Sequence, residues 1–230
     1  MIHFKQNLLA LLALYLTSLL GSNMSYAQKQ IPFTGMLEYR ITSTDTSNNT
    51  TAPVNKMFVY TNDTITRTEN FTRQLGQQVA IRHIEKQKSY LLLVTDLGKF
   101  AIQTDHSKSD TIQKEPLYVF QRKWFKRKIA GQKANRILVS HPGFQEPIEF
   151  LYLKNRSNKY LNIHTEIPGL LLKYSIQTTN GTLNYELVTF QEYTPNNDLF
   201  GIPSDFDKIS FDDFLTQLIK AKKEAQSTPQ

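Results

Sequence analysis

The chain reads as a mainly β (α+β) protein, a large curved antiparallel sheet or half-barrel with a C-terminal helix packed against it. Three observations predict this. Apolar and polar residues alternate in short runs from about residue 35 to residue 193. Turn dipeptides punctuate those runs at hairpin spacing. A single helical stripe, over residues 211–223, follows them.

The N-terminus has its own pattern. One lysine, Lys5, precedes the apolar run from Leu8 to Leu16, and Ser25-Tyr26-Ala27 carries small residues at −3 and −1. That order is a secretory signal over residues 1–27, cleaved after Ala27, with an uncleaved anchor as the alternative. The apolar run is short for a membrane span. No cysteine follows it, which excludes a lipid-anchored lipoprotein. The localisation expected is export, to the periplasm first and in association with the outer membrane second.

Residues 28–225 then read as one domain, followed by a frayed tail at 226–230. With no cysteine anywhere, stability must come from a hydrophobic core and not from disulfides. The formal net charge of +7 suits anionic lipid or surface polysaccharide in an exported protein, or simply a soluble basic surface. Nucleic acid is not expected as a partner, and a monomer is.

Gly35 to Thr42 alternates with Leu37, Tyr39 and Ile41 on one face, a half-buried strand. Residues 43–55, rich in Thr and Asn without an apolar period, read as a loop. Residues 56–61 and 64–68 flank Asn62-Asp63 as a hairpin, and 79–85 is a further strand. Residues 89–95 and 99–104 bracket Asp96-Leu97-Gly98, with Gly where positive φ is needed. Residues 147–154, 169–178 and 182–193 complete the series, and Asn180-Gly181 is the strongest hairpin signal. Between them, residues 116–124 place Leu117, Phe120 and Trp124 at helical spacing behind Pro116. A short helix or irregular crossing is expected there, with a strand pairing to 136–140 as the alternative.

At the C-terminus Phe211, Phe214, Leu215, Leu218 and Ile219 form an apolar stripe expected to pack on the sheet. Ser210 is the N-cap, and Asp212 and Asp213 suit the positive helix start.

Chemistry-bearing patterns are sparse. The histidines fall in separate segments without metal-ligand spacing, and neither a Gly-x-Ser-x-Gly elbow nor a phosphate-cradling glycine loop occurs. No enzymatic activity, metal or cofactor is expected, and a hydrolase is a distant third reading.

Two features point to binding. The cluster Arg122, Lys123, Lys126, Arg127 and Lys128 surrounds Trp124 and Phe125, a mixture suited to an anionic membrane surface. Its alternative is an exposed strand face with Trp124 and Phe125 in the core. Residues 148–153 and 170–174 are apolar on both faces, so they are either sandwiched between layers or line a hydrophobic cavity. Strand alternation selects Phe150, Tyr152, Leu170, Leu172, Tyr174 and Tyr185 as candidate wall residues.

Three fragments carry a resemblance. Lys128 to Arg136, KIAGQKANR, resembles the K-I-A-G-Y-K-C-x-K segment of uncharacterised exported bacterial proteins. Glu166 to Leu172, EIPGLLL, resembles the motif that names the GLPGLI exported family. Asp198 to Pro203, DLFGIP, resembles the D-x-x-F-x-I-P ending of these families. Ala134 stands for the family cysteine, Gln132 for its tyrosine and Ile167 for the leucine of the naming motif. Such families look like relatives of the LolA/LolB lipoprotein-carrier fold. The resemblance implies turn or bulge roles for Gly131 and Pro168-Gly169, core roles for Phe200 and Ile202, and a cavity for acyl chains. The function it implies is an envelope carrier of a lipid or lipoprotein acyl chain. The rival is a structural or interaction module that binds an envelope protein, with its sheet filled by its own side chains.

Overall fold

The computed structural model describes residues 30–45, 51–72, 76–105, 118–142, 144–178 and 181–227. The expected signal segment and its cleavage site lie outside them. Six strands lead outward in sequence: β1 (Thr34–Asp45), β2 (Thr51–Asn62), β3 (Ile65–Thr72), β4 (Gly76–His83), β5 (Lys88–Thr95) and β6 (Gly98–Asp105). Five more return toward β1: β7 (Val119–Ile129), β8 (Gln132–Ser140), β9 (Ile148–Leu153), β10 (Leu170–Thr178) and β11 (Gly181–Glu192). The short β12 (Asp207–Ser210) precedes helix α1 (Phe211–Ser227).

All of these strands join one sheet in the order β12-β6-β5-β4-β3-β2-β1-β11-β10-β9-β8-β7. The chain is thus two antiparallel meanders joined where β1 pairs with β11, and the sheet is open, with β7 and β12 at its ends. Every neighbouring pair is antiparallel except β12 with β6.

The turns follow the expected chemistry. Asp63 turns β2 into β3 at φ 77°, while Thr64 and Ile65 donate backbone hydrogen bonds to the Asn62 side chain. Ala130 and Gly131 both have positive φ and close β7 onto β8, the backbone signature of a tight two-residue hairpin.

Several expectations are corrected. Residues 43–45 and 51–55 are not loop: β1 and β2 stay paired there, with Ser43 opposite Ala52. The backbone ladder sustains pairing there without an apolar period. Residues 119–129 are neither helix nor irregular crossing but an edge strand paired from Val119 opposite Ser140. Leu117, one arm of the helical spacing, lies outside the described residues. The strand expected at 79–85 starts earlier and ends at His83, and β12 was not foreseen, since Asp-Lys-Ile-Ser carries no clear alternation. Helix α1 runs to Ser227, past the expected end.

The helix is capped as expected. The Asp213 N–H donates to Ser210 Oγ (3.1 Å), and the Ser210 hydroxyl donates back to the Asp213 carboxylate (2.6 Å). Its stripe, however, does not pack as a whole. Phe214 alone is buried, edge-on to Phe100 at 5.5 Å, whereas Phe211 and Ile219 are about half exposed. The helix lies against β6 and β12 at the end of the sheet, and Phe214 is the residue of the stripe that is buried there.

The main core spans β1, β2 and β8 to β11, with Phe33, Leu37, Tyr39, Val59, Phe150, Leu171 and Tyr174 almost fully buried. A second cluster of Val79, Ile81, Leu92 and Ala101 lies on the opposite face of the sheet by register. Ile202 and Phe206 cover it, and the segment that carries them is tied down by Arg67, whose guanidinium donates to the Leu199 carbonyl (3.1 Å).

Candidate functional site

The interior is built from β9 and β10, strands apolar enough to be buried on both faces, with the apolar face of β11 beside them. Phe150, Tyr152, Leu170, Leu172 and Tyr174 are all at most 4 % exposed, and Tyr185 is half-buried. The register divides these six. Tyr174 pairs with Tyr185, and their rings stack at 4.6 Å. A bulge between Leu171 and Lys173 reverses the alternation along β10, so that Leu170 shares Leu153's face while Tyr174 shares the face of Phe150 and Tyr152. Leu172 sits in the bulge.

Protein side chains occupy the space beside these residues. His164 packs on Phe150 at 5.1 Å and on Tyr174 at 6.4 Å, and Tyr118 lies between His164 (5.0 Å) and His141 (4.5 Å). The Tyr39 ring is 5.9 Å from Tyr174, and its hydroxyl donates to the Leu171 carbonyl at 2.7 Å. Burial pushes the Tyr39 and Tyr174 phenols well above the usual tyrosine range, so both stay neutral.

The segment between β9 and β10 straps this core. Tyr160 and Ile167 are buried with it. The Tyr160 hydroxyl accepts from the Phe33 N–H (2.7 Å) and donates to Asp63, which also pairs with Lys159 at 2.8 Å. Arg82 donates to the Lys159 carbonyl. Gly169 ends the strap where a Cβ would stand 2.2 Å from the Leu153 carbonyl oxygen, so the close approach requires glycine.

Between α1 and the β5–β6–β12 end of the sheet lies an open cleft of about 580 Å³. Tyr90, Gln103, Lys208, Ser210 and Gln217 contribute to its lining, a mostly polar set. Among the described residues no three His, Cys, Asp or Glu side chains are gathered as a metal site.

The basic cluster lies at the other end of the sheet, on edge strand β7. Lys123 pairs with Arg136 and Arg127 with Ala134, so residues 124–126 face the single residue 135 and bulge from the sheet. Trp124 is 97 % exposed and Phe125 80 %, which overturns the reading of these two rings as core. Arg127 pairs with Glu149 (3.1 Å), which also holds Arg136. Arg122, Lys123, Lys126 and Lys128 have no carboxylate partner among the described residues. Sequence reasoning weighed the cations but not the rings as contact residues. The aromatic pair set among charges on both sides was the available signal.

No protein family matches the chain, and no curated protein matches it. A solved structure of MucB in complex with MucA(peri) aligns at a TM-score of 0.42 and 12% identity, over 79% of this chain and 58% of that chain. The chain therefore spans less than two thirds of that protein's length.

Proposed function

We propose that this is an exported, non-catalytic interaction module of the bacterial envelope, of the GLPGLI type, which binds through its surface. The observation that carries the reading is that, among the described residues, the protein's own side chains pack against the candidate wall. The candidate wall residues are buried against His164, Tyr39 and one another, and Tyr160 and Ile167 close the same core. An acyl carrier needs an apolar hollow of a few hundred Å³ in that place.

A chain-length series of fluorescent fatty acids tests it. The surface module is expected to show no length dependence. Tightening of roughly tenfold for each two added carbons would restore the acyl-carrier reading, since each buried methylene contributes about 0.8 kcal/mol. Export is tested by intact mass of the protein from its native host. A chain beginning at Gln28 supports it, and a mass that includes residues 1–27 refutes cleavage.

A further inference from the structure

We propose that the Trp124–Phe125 bulge is a membrane wedge, by which the protein docks on an anionic lipid bilayer with the β7 edge of its sheet facing the headgroups. The inference rests on the surface-binding reading and adds the partner and the residues that meet it.

The bulge is an expensive feature for a protein that leaves it in water. Two large aromatic rings stand next to each other at 97 % and 80 % exposure on an edge strand, within a run of cations. Indole and phenyl rings gain most at the boundary between headgroups and acyl chains, where an apolar body and a polar rim are both accommodated. Arg122 and Lys123 precede the rings, and Lys126 and Lys128 follow them. Arg127, by contrast, pairs with Glu149, a carboxylate it shares with Arg136. Cations with no carboxylate partner among the described residues stand on both sides of the apolar tip and complement a negatively charged surface, and each contributes about fivefold in affinity near anionic lipid.

The same geometry disfavours strand addition by a partner protein. The bulge interrupts the ladder of β7 midway, and lysines along a sheet edge oppose the approach of another strand. A flat lipid surface needs no hydrogen-bond register and accepts a protruding tip.

Trp124 is the only tryptophan in the chain, so fluorescence excited selectively at tryptophan, beyond tyrosine absorption, reports on this bulge alone. The experiment titrates the protein, as processed by its native host, with vesicles of phosphatidylglycerol mixed with phosphatidylcholine, and with pure phosphatidylcholine. Expected is a blue shift with the anionic vesicles, quenched by brominated acyl chains and weakened as salt shortens the Debye length from about 8 Å at 0.15 M to 3 Å at 1 M. Lys126→Gln and Lys123→Gln should each weaken binding about fivefold. Phe125→Ala should weaken it without changing the salt dependence. Unchanged denaturant midpoints would show the variants folded. No shift with anionic vesicles at low salt overturns the proposal. So does an equal shift with soluble polyglutamate, which would assign the bulge to an acidic protein surface. Chain-length-dependent fatty acid binding without a Trp124 shift would instead overturn the surface reading itself.

Discussion

The Tyr160 hydroxyl is held between two groups far apart in the chain, donating to the Asp63 carboxylate and accepting from the Phe33 N–H. One side chain thus ties the β9–β10 strap to the β2–β3 turn and to the residue that enters β1.

Tyr160→Phe removes both bonds and leaves the buried Phe33 N–H without its acceptor. Loss of about 1–3 kcal/mol is expected, the range for an orphaned buried donor. Tyr39→Phe removes one hydrogen bond, to the Leu171 carbonyl, and should cost about 1 kcal/mol. Urea midpoints of the two variants compare them directly. A Tyr160→Phe midpoint equal to that of the unaltered protein would mean that the strap is not held by Tyr160.

Acid should loosen the same tie. Burial raises the Asp63 carboxyl, but the hydrogen bonds from Lys159 and Tyr160 outweigh it and hold the group below its ordinary 3.8. A carboxylate lowered in the folded state adds stability that is complete above its unfolded value and lost as pH falls through the folded one. Stability should therefore decline below about pH 4, and Asp63→Asn should flatten that decline while lowering stability at neutral pH. A variant with an unaltered acid limb would remove Asp63 from the account.

Helix α1 should respond to one substitution only. Phe214→Ala deletes the ring buried on Phe100 and Ile102 and should cost about 3 kcal/mol. Leu215→Ala, at a position 37 % exposed, should stay within about 0.5 kcal/mol. Thermal or denaturant melts that rank the two the other way would show the helix docked through its other face.

Two glycines should fail for different reasons. Gly169→Ala forces a methyl into the Leu153 carbonyl and should cost about 1–3 kcal/mol through overpacking. Gly131→Ala has open space around the new methyl, and its cost of about 1–2 kcal/mol comes from φ +76° alone. Crystal structures of the variants would show a displaced β9–β10 crossing in the first and an unmoved backbone in the second.

The sequence by itself determined most of the described strands, the Asn62-Asp63 and Asp96-Leu97 turns, and the capped helix. These depend on local chemistry: alternation at Leu37, Tyr39 and Ile41, turn residues at Asn62-Asp63 and Asp96-Leu97, and the Ser210 hydroxyl one residue before α1. The residues of the core were legible for the same reason, since apolar strands must be buried somewhere.

Only the tertiary structure decided which neighbours those residues meet. The bulge at Leu172 is a mismatch of register between β9 and β10, and a register belongs to a pair of strands, so alternation along β10 alone placed Leu170 beside Tyr174. Residues 116–124 carry a helical spacing, which from Val119 onward the hydrogen-bonded ladder with β8 overrides. The alternative that placed Trp124 and Phe125 in the core rests on large rings being usually buried. Their exposure follows from the two extra residues of the bulge, which no local pattern records. The stripe of α1 is a true amphipathic face, but how much of it is covered depends on how far the sheet extends beneath it, and the sheet ends at β12.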